Sequence, residues 1–262
     1  MLIDSHCHLD FPELAGDETG VLARARTAGV AGMLTIGTRL DQFERVRAIA
    51  ERHANIWCSV GVHPHEAKEE GQHAPDRLIE ATRHPKVVAI GETGLDFYYE
   101  HSPRDEQAES FRVHIAAARQ TGLPLIVHTR DADAETGDIL EEEYREGAFT
   151  GVIHCFSSGP DVARRALELG FYISISGIVT FKAAEGLRTI VRDIPLGRLL
   201  VETDSPYLAP VPKRGKTNEP AFVAHTAAKV AELKGVDVAE LEAATTDNFF
   251  RLFAKAERSR CA

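Results

Sequence analysis

The chain has 262 residues, 44% of them apolar and 27% charged, with 20 glycines and 12 prolines. That balance can bury a sizeable core, and it excludes a disordered tail, a collagen-like repeat and a small disulfide scaffold. Thirty Lys and Arg against forty Asp and Glu leave a formal charge of −10, which excludes broad electrostatic coating of a nucleic acid. An acidic substrate would need a few local cations to overcome that field.

In chain order, short β-rich runs fall at Leu2–His6, Gly32–Ile36, Ile56–Val62, Val87–Gly91, Leu125–His128, Gly151–Cys155, Phe171–Ser176 and Leu199–Thr203. Between them lie segments of helical periodicity, among them Asp41–His53, Arg104–Thr121, Asp161–Leu169 and Pro220–Lys234, several opened by Asp or by Pro near the first turn. Eight βα units of roughly 33 residues each match the size of one crossover unit and predict an α/β fold of the (β/α)8 TIM-barrel type. A single domain spanning 1–262 suffices, with no interior linker. A doubly wound open sheet ranks second, because no glycine-rich phosphate turn follows the first strand. Cys7, Cys58, Cys155 and Cys261 form no CxxC pair, which is cytosolic usage. With no 18-residue apolar run and a strand starting at Leu2, neither a membrane span nor a cleaved leader is expected, so the expected location is cytoplasmic.

Side chains alternate along a strand, so the inward set of a barrel strand can be read by parity. Leu2, Asp4, His6 and His8 share one face of the first strand, with Cys7 on the other. The later inward series are Val88, Ile90 and Glu92; Ile126 and His128; Val152 and His154; and Leu200, Glu202 and Asp204. Each series begins apolar and ends polar at the C-terminal edge, where barrel enzymes place their chemistry. His6, His8, Glu92, His128, His154 and Asp204, from five strands, should therefore converge on one small volume. Burying these imidazoles and carboxylates without a cation would cost several kcal/mol per unpaired charge. This nitrogen and oxygen donor set lacks thiolates and suits Zn²⁺, with Mn²⁺, Co²⁺ and Mg²⁺ also compatible. Six donors are too many for one tetrahedral catalytic ion with an open position, but suit two divalent ions sharing a carboxylate. Glu202 and Asp4 read better as support than as ligands, either orienting a ligating His or forming an internal salt bridge.

The segments Asp4-Ser5-His6-Cys7-His8-Leu9-Asp10, Gly61-Val62-His63-Pro64-His65, Gly91-Glu92-Thr93-Gly94-Leu95-Asp96, Val127-His128, Ile153-His154-Cys155-Phe156 and Glu202-Thr203-Asp204-Ser205-Pro206-Tyr207-Leu208 resemble those of the TatD family of metal-dependent deoxyribonucleases. Gly177-Ile178-Val179-Thr180-Phe181-Lys182 and the Asn218-Glu219-Pro220 turn extend the likeness. The resemblance implies one ion held by His6, His8, Glu92 and Asp204, with Glu92 bridging to a second held by His128 and His154. It places Glu202 near the metals and His63 at the substrate edge. It implies hydrolysis of DNA phosphodiester bonds, as a 3'-5' exonuclease on single-stranded or damaged DNA.

Asp204 is the candidate general base, taking a proton from an ion-activated water and passing it to the leaving oxygen. Glu92 and Glu202 complete the catalytic set. Local cations follow the strands: Arg130 after the fifth, Lys182 after the seventh, and Lys213, Arg214 and Lys216 after the eighth. Loops after strands seven and eight are a recurrent phosphate site in this fold, which makes Arg130, Lys182, Lys213 and Lys216 candidate substrate contacts. Phe97, Tyr98 and Tyr99 are placed to stack a base or to pack their loop. A small-molecule amidohydrolase or lactonase using the same centre on a carbonyl is the competing enzyme reading. A non-catalytic metal or nucleic-acid binding module is a third, disfavoured by the complete ligand set and the presence of Asp204. Neither a membrane nor an obligate protein partner is expected.

Overall fold

The computed structural model describes residues 1–70 and 74–261. Its eight strands are β1 (Leu2–Cys7), β2 (Val30–Thr35), β3 (Ile56–Val60), β4 (Val87–Asp96), β5 (Leu125–Arg130), β6 (Gly151–Ile153), β7 (Tyr172–Ile175) and β8 (Leu199–Val201). They pair in parallel in the order of the sequence. A bridge between Cys7 and Ser205 closes the ring, with hydrogen bonds from His8 N to Ser205 O at 2.8 Å and from Asp204 N to His6 O at 2.9 Å. Three ligand candidates, His6, His8 and Asp204, thus sit on the seam itself.

The apolar side chains sort into two layers, as alternation on a barrel wall requires. One cluster takes Ile3, Leu34, Trp57, Val88, Ile126, Val152, Tyr172 and Leu200, one from each strand, and adds Phe249, Leu252 and Phe253 from the last helix, Val238–Leu252, and its end. That is the barrel interior with its apolar floor. The other packs the opposite faces of the strands, such as Leu2, Ile56, Val87, Ile90, Leu125, Val127, Ile153, Ile173 and Val201, against the surrounding helices.

This sorting corrects the parity reading in two strands. Ile3, not Leu2, points into the barrel, and Ser5 joins it there through a 3.0 Å hydrogen bond with Ser174. Ile90 faces the helices, not the interior. Irregularities in pairing, between Leu2/Ile3 and Asp4/Cys7 in β1 and between Ile90/Thr93 in β4, reset the alternation before His6 and Glu92. A bulge re-aims side chains in this way, and a strict period of two cannot anticipate it. Strand β4 also runs five residues beyond its expected end. Gly91 and Gly94, with φ of 131° and 133°, let it do so, because side chains there would drive into the Ile126 and His128 carbonyl oxygens of β5. By contrast, β6 and β8 stop early, so His154, Glu202 and Asp204 lie just past their strand ends.

The helix Arg104–Thr121 ties this wall to the loop after β3. The fully buried His114 donates from Nδ1 to Ser110 O at 2.7 Å and accepts at Nε2 from Val62 N at 3.0 Å, one residue before His63. Burial pushes its pKa down to about 4, against a smaller opposing effect of the Ser110 carbonyl. The folded chain therefore needs the neutral ring, while the unfolded chain takes up a proton below about 6.5. This contribution is complete above that value and is lost as pH falls from about 6.5 towards 4. It amounts to roughly 3 kcal/mol at most. Urea unfolding at neutral pH and at the acid end should show a steeper loss for the wild type than for His114→Gln; equal losses would show that this ring carries no such linkage.

Candidate metal centre

The centre is organised around the Glu92 carboxylate, which is 2% exposed. Its Oε2 lies 3.4 Å from His6 Nε2 and 4.0 Å from His8 Nε2. Its Oε1 lies 2.7 Å from His154 Nε2 and 3.1 Å from His128 Nδ1. Asp204 Oδ1 closes the first side, 3.4 Å from His8 Nε2 and 3.7 Å from His6 Nε2. The two sides touch through the stacked rings of His6 and His154, 3.9 Å apart. All six residues read from the strand edges come together here. Glu92 faces His6 and His8 with one oxygen and His128 and His154 with the other.

Neighbouring carboxylates fix these rings. Asp96 Oδ2 sits 3.1 Å from His128 Nε2 and 3.0 Å from His65 Nε2, while Oδ1 accepts from the backbone of Tyr98 and Tyr99. His128 then donates outwards from Nε2 and turns Nδ1 to the centre. Burial would raise the pKa of Asp96, but hydrogen bonds from His128 and His65 outweigh it and hold the carboxyl well below its ordinary value. Glu202 Oε1 accepts from Cys155 N at 2.7 Å and lies 3.4 Å from His154 Nδ1. Burial disfavours a charged His154, yet Glu92 and Glu202 hold its pKa well above the ordinary value. Among the described residues Asp4 forms no salt bridge and no hydrogen bond to an imidazole; it accepts from Thr203 N, Thr203 Oγ1 and His6 N, joining the seam strands.

His63 lines the cavity over the centre, with Nε2 3.5 Å from Glu92 Oε1. Its Nδ1 accepts from His65 N at 3.1 Å, and burial, the largest effect, holds its pKa well below the usual value. In a neutral ring with Nδ1 engaged as acceptor, the proton is on Nε2, so this tautomer donates from Nε2.

The donor set fits divalent cations. Glu92, Asp96, Glu202 and Asp204 converge with only histidines as ionic partners, and among the described residues none of the four pairs with Lys or Arg. His6 Nε2, His6 Nδ1, His8 Nδ1 and Glu202 Oε2 are buried without a hydrogen-bond partner. Stranding such atoms is costly unless something of opposite charge completes them. Potential ligand atoms of His6, His8 and Glu92 lie within 4.8 Å of one another, as do those of His63, Glu92 and His128, and those of His6, His154 and Glu202.

The donors open into a cavity of about 760 Å³. Phe11, Tyr99, His101, Arg130, Tyr207 and Leu208 belong to its outer lining. Of the cations expected at the rim, Arg130 lines the cavity, its guanidinium 4.0 Å from the Tyr98 ring centre. Lys182, Lys213 and Lys216 do not line it; Lys213 lies half-buried with its ammonium 5.1 Å from the Phe222 ring centre. Of the aromatics after β4, Phe97 packs against the helix-facing core.

The sequence reading assigns no role to His65 or Asp96, because its run for β4 ends at Gly91. An acid placed beyond two glycines of a strand was the available signal. Asp96→Asn leaves one carbonyl oxygen where two histidines and two backbone amides now converge on two carboxylate oxygens. It should lower hydrolytic kcat/KM at limiting divalent ion by about tenfold or more, and titration with the ion checks it. An unchanged ion dependence would remove Asp96 from the centre.

Comparison with known proteins identifies the family. The family model described as TatD related DNase matches residues 3–254. The chain is 48% identical over 255 residues to the uncharacterized metal-dependent hydrolase YcfH of Escherichia coli strain K12, covering 96% of this chain and 95% of that one. It is 37% identical to a 3'-5' ssDNA/RNA exonuclease TatD of Enterobacter lignolyticus, covering 97% and 100% of the two. The crystal structure of YJJV, a TatD homologue from Escherichia coli K12, superposes with a TM-score of 0.90 at 32% identity, covering 97% of this chain and 98% of that one. No described helix is long and apolar enough to cross a membrane. The chain therefore belongs to the TatD family of metal-dependent hydrolases.

Proposed function

We propose that the chain is a deoxyribonuclease that cleaves DNA phosphodiester bonds with two divalent ions, Zn²⁺, Mg²⁺ or Mn²⁺, acting as a 3'-5' exonuclease on single-stranded or damaged DNA. The observation that carries the reading is the division of the donors by Glu92: His6, His8 and Asp204 beside one oxygen, His128 and His154 beside the other. These residues would hold one ion on each side. When bound, such ions supply Lewis acidity towards a phosphoryl oxygen and make water a nucleophile at neutral pH.

The remaining steps fall to the side chains. Asp204, less buried than Glu92, accepts the proton of the attacking water and returns it to the leaving oxygen. Burial raises its pKa, but His8 and the other nearby imidazoles outweigh that effect and keep it an ionised acceptor. Glu202 holds His154 in register, and His63 offers its Nε2 proton to an anionic oxygen beside Glu92. Arg130, planar and always charged, meets a phosphate at the mouth. Lys182, Lys213 and Lys216 contact phosphates farther along the strand. The name of the Enterobacter lignolyticus relative supports the substrate class.

The test is purified protein stripped of metal and reloaded with Zn²⁺, Mn²⁺ or Mg²⁺. It is offered end-labelled single- and double-stranded DNA beside a panel of lactones and amides. Ion-dependent shortening of single-stranded DNA from its 3' end is expected; turnover of the carbonyl panel alone would overturn the reading. Lys213→Ala with Lys216→Ala should raise KM for DNA more than for a small phosphodiester, and equal effects would remove both lysines from the substrate path.

A further inference from the structure

Among the described residues three tyrosines are exposed, Tyr98 at 57%, Tyr99 at 51% and Tyr207 at 53%; Tyr99 and Tyr207 line the cavity, and Tyr98 lies beneath the Arg130 guanidinium that lines it. Exposed aromatic rings gathered at one cavity mouth call for a partner that covers them. They form two walls. On the β8–β1 side, Phe11 stacks on His8 with ring centres 4.6 Å apart, and Tyr207 meets Phe11 edge-on at 6.1 Å. Beyond β4, Tyr99 stacks on His101 at 5.5 Å with its plane 6° away, and meets the His65 ring edge-on. In a ring of eight strands, the β8–β1 seam and the β4–β5 pair are opposite one another.

Each wall is anchored to the centre through its own backbone. Tyr207 N donates to Asp204 O at 3.0 Å, and the buried Asn218 donates from Nδ2 to the carbonyls of both Tyr207 and Thr203. Tyr99 N donates to Asp96 Oδ1 at 3.0 Å. The rings are thus left in solvent while their main chains are fixed to an acid at the centre or beside it, which is how a preorganised stacking platform is built. Arg130 lies over Tyr98 and Tyr99 and brings a positive charge to one wall.

We infer that Phe11 with Tyr207 on one side, and Tyr99 on the other, stack the unpaired nucleobases that flank the scissile phosphate. The site therefore admits a bond only where both neighbouring bases are out of a duplex. This rests on the phosphodiesterase reading and adds the reason for single-strand selectivity: a base stacked inside a duplex cannot offer its face to a side chain.

The test uses the full chain loaded with Mn²⁺ and short single-stranded oligonucleotides carrying one abasic residue, moved position by position past the cleaved bond. For the wild type, kcat/KM should fall by about tenfold or more when a flanking base is missing. Tyr207→Ala should lose about as much on the intact strand and should no longer distinguish intact from abasic, whereas Tyr207→Phe keeps both. A 2-aminopurine at that position should be quenched on binding the wild type and Tyr207→Phe but not Tyr207→Ala. The ring is exposed, so a thermal melt should show all three folded. If the wild type cleaves no oligonucleotide with any divalent ion, this inference and the phosphodiesterase reading fall together. If it cleaves strands but abasic residues change nothing, or Tyr207→Ala discriminates as the wild type does, the stacking walls alone are refuted.

Discussion

Glu92→Gln should reduce ion-dependent hydrolysis at least about a hundredfold and leave the chain unable to hold two divalent ions at once. The glutamine fills the same space but offers one carbonyl oxygen where the carboxylate presents oxygens to both imidazole pairs. It also removes a buried negative charge. Burial works against that charge, and His154, His63 and His128 more than compensate, holding the Glu92 pKa well below the ordinary value. Steady-state kinetics with saturating ion, alongside ion content after dialysis, separates the two effects. Near-wild-type turnover with a full ion complement would show that Glu92 bridges nothing.

Asp204→Asn should lower kcat by about a hundredfold to ten-thousandfold, the range general acid–base groups supply. Asparagine is the informative replacement for a backbone reason as well. Asp204 sits at φ 55°, a left-handed conformation that asparagine tolerates and alanine adopts at a cost of about 1 kcal/mol or more. Asp204→Asn therefore keeps the seam, including the bond from Asp204 N to His6 O, and removes the proton acceptor. Asp204→Ala confounds the two. Retention of kcat in Asp204→Asn would move the base elsewhere, with Glu202 the next carboxylate beside the centre.

The order of strands and helices was readable because each element carries its own period, and the six strand-edge residues were readable because polar groups gather at the same end of each strand, even in β1 and β4 where the alternation itself is reset. Local rules failed where distant parts of the chain set the geometry. The inward turn of Ile3 in place of Leu2 follows from how β1 pairs with β2, and the continuation of β4 through Gly91 and Gly94 follows from the close approach of β5. Within its own segment, glycine reads as an end. His65 and Asp96 meet His128 only after β3, β4 and β5 are side by side. The lysines after β8 show a different limit of local reading. Nearness in sequence to Asp204 does not put Lys213 in the cavity, because its loop turns the side chain towards Phe222.

The most direct measurement is the number of divalent ions retained by metal-stripped protein titrated with Zn²⁺ or Mn²⁺, read by calorimetry and elemental analysis on the same samples. Two ions per chain are predicted for the wild type, with the thermal midpoint rising as they bind. A protein that takes up no ion, or only one at saturation, would contradict a centre divided between two imidazole pairs by a single carboxylate.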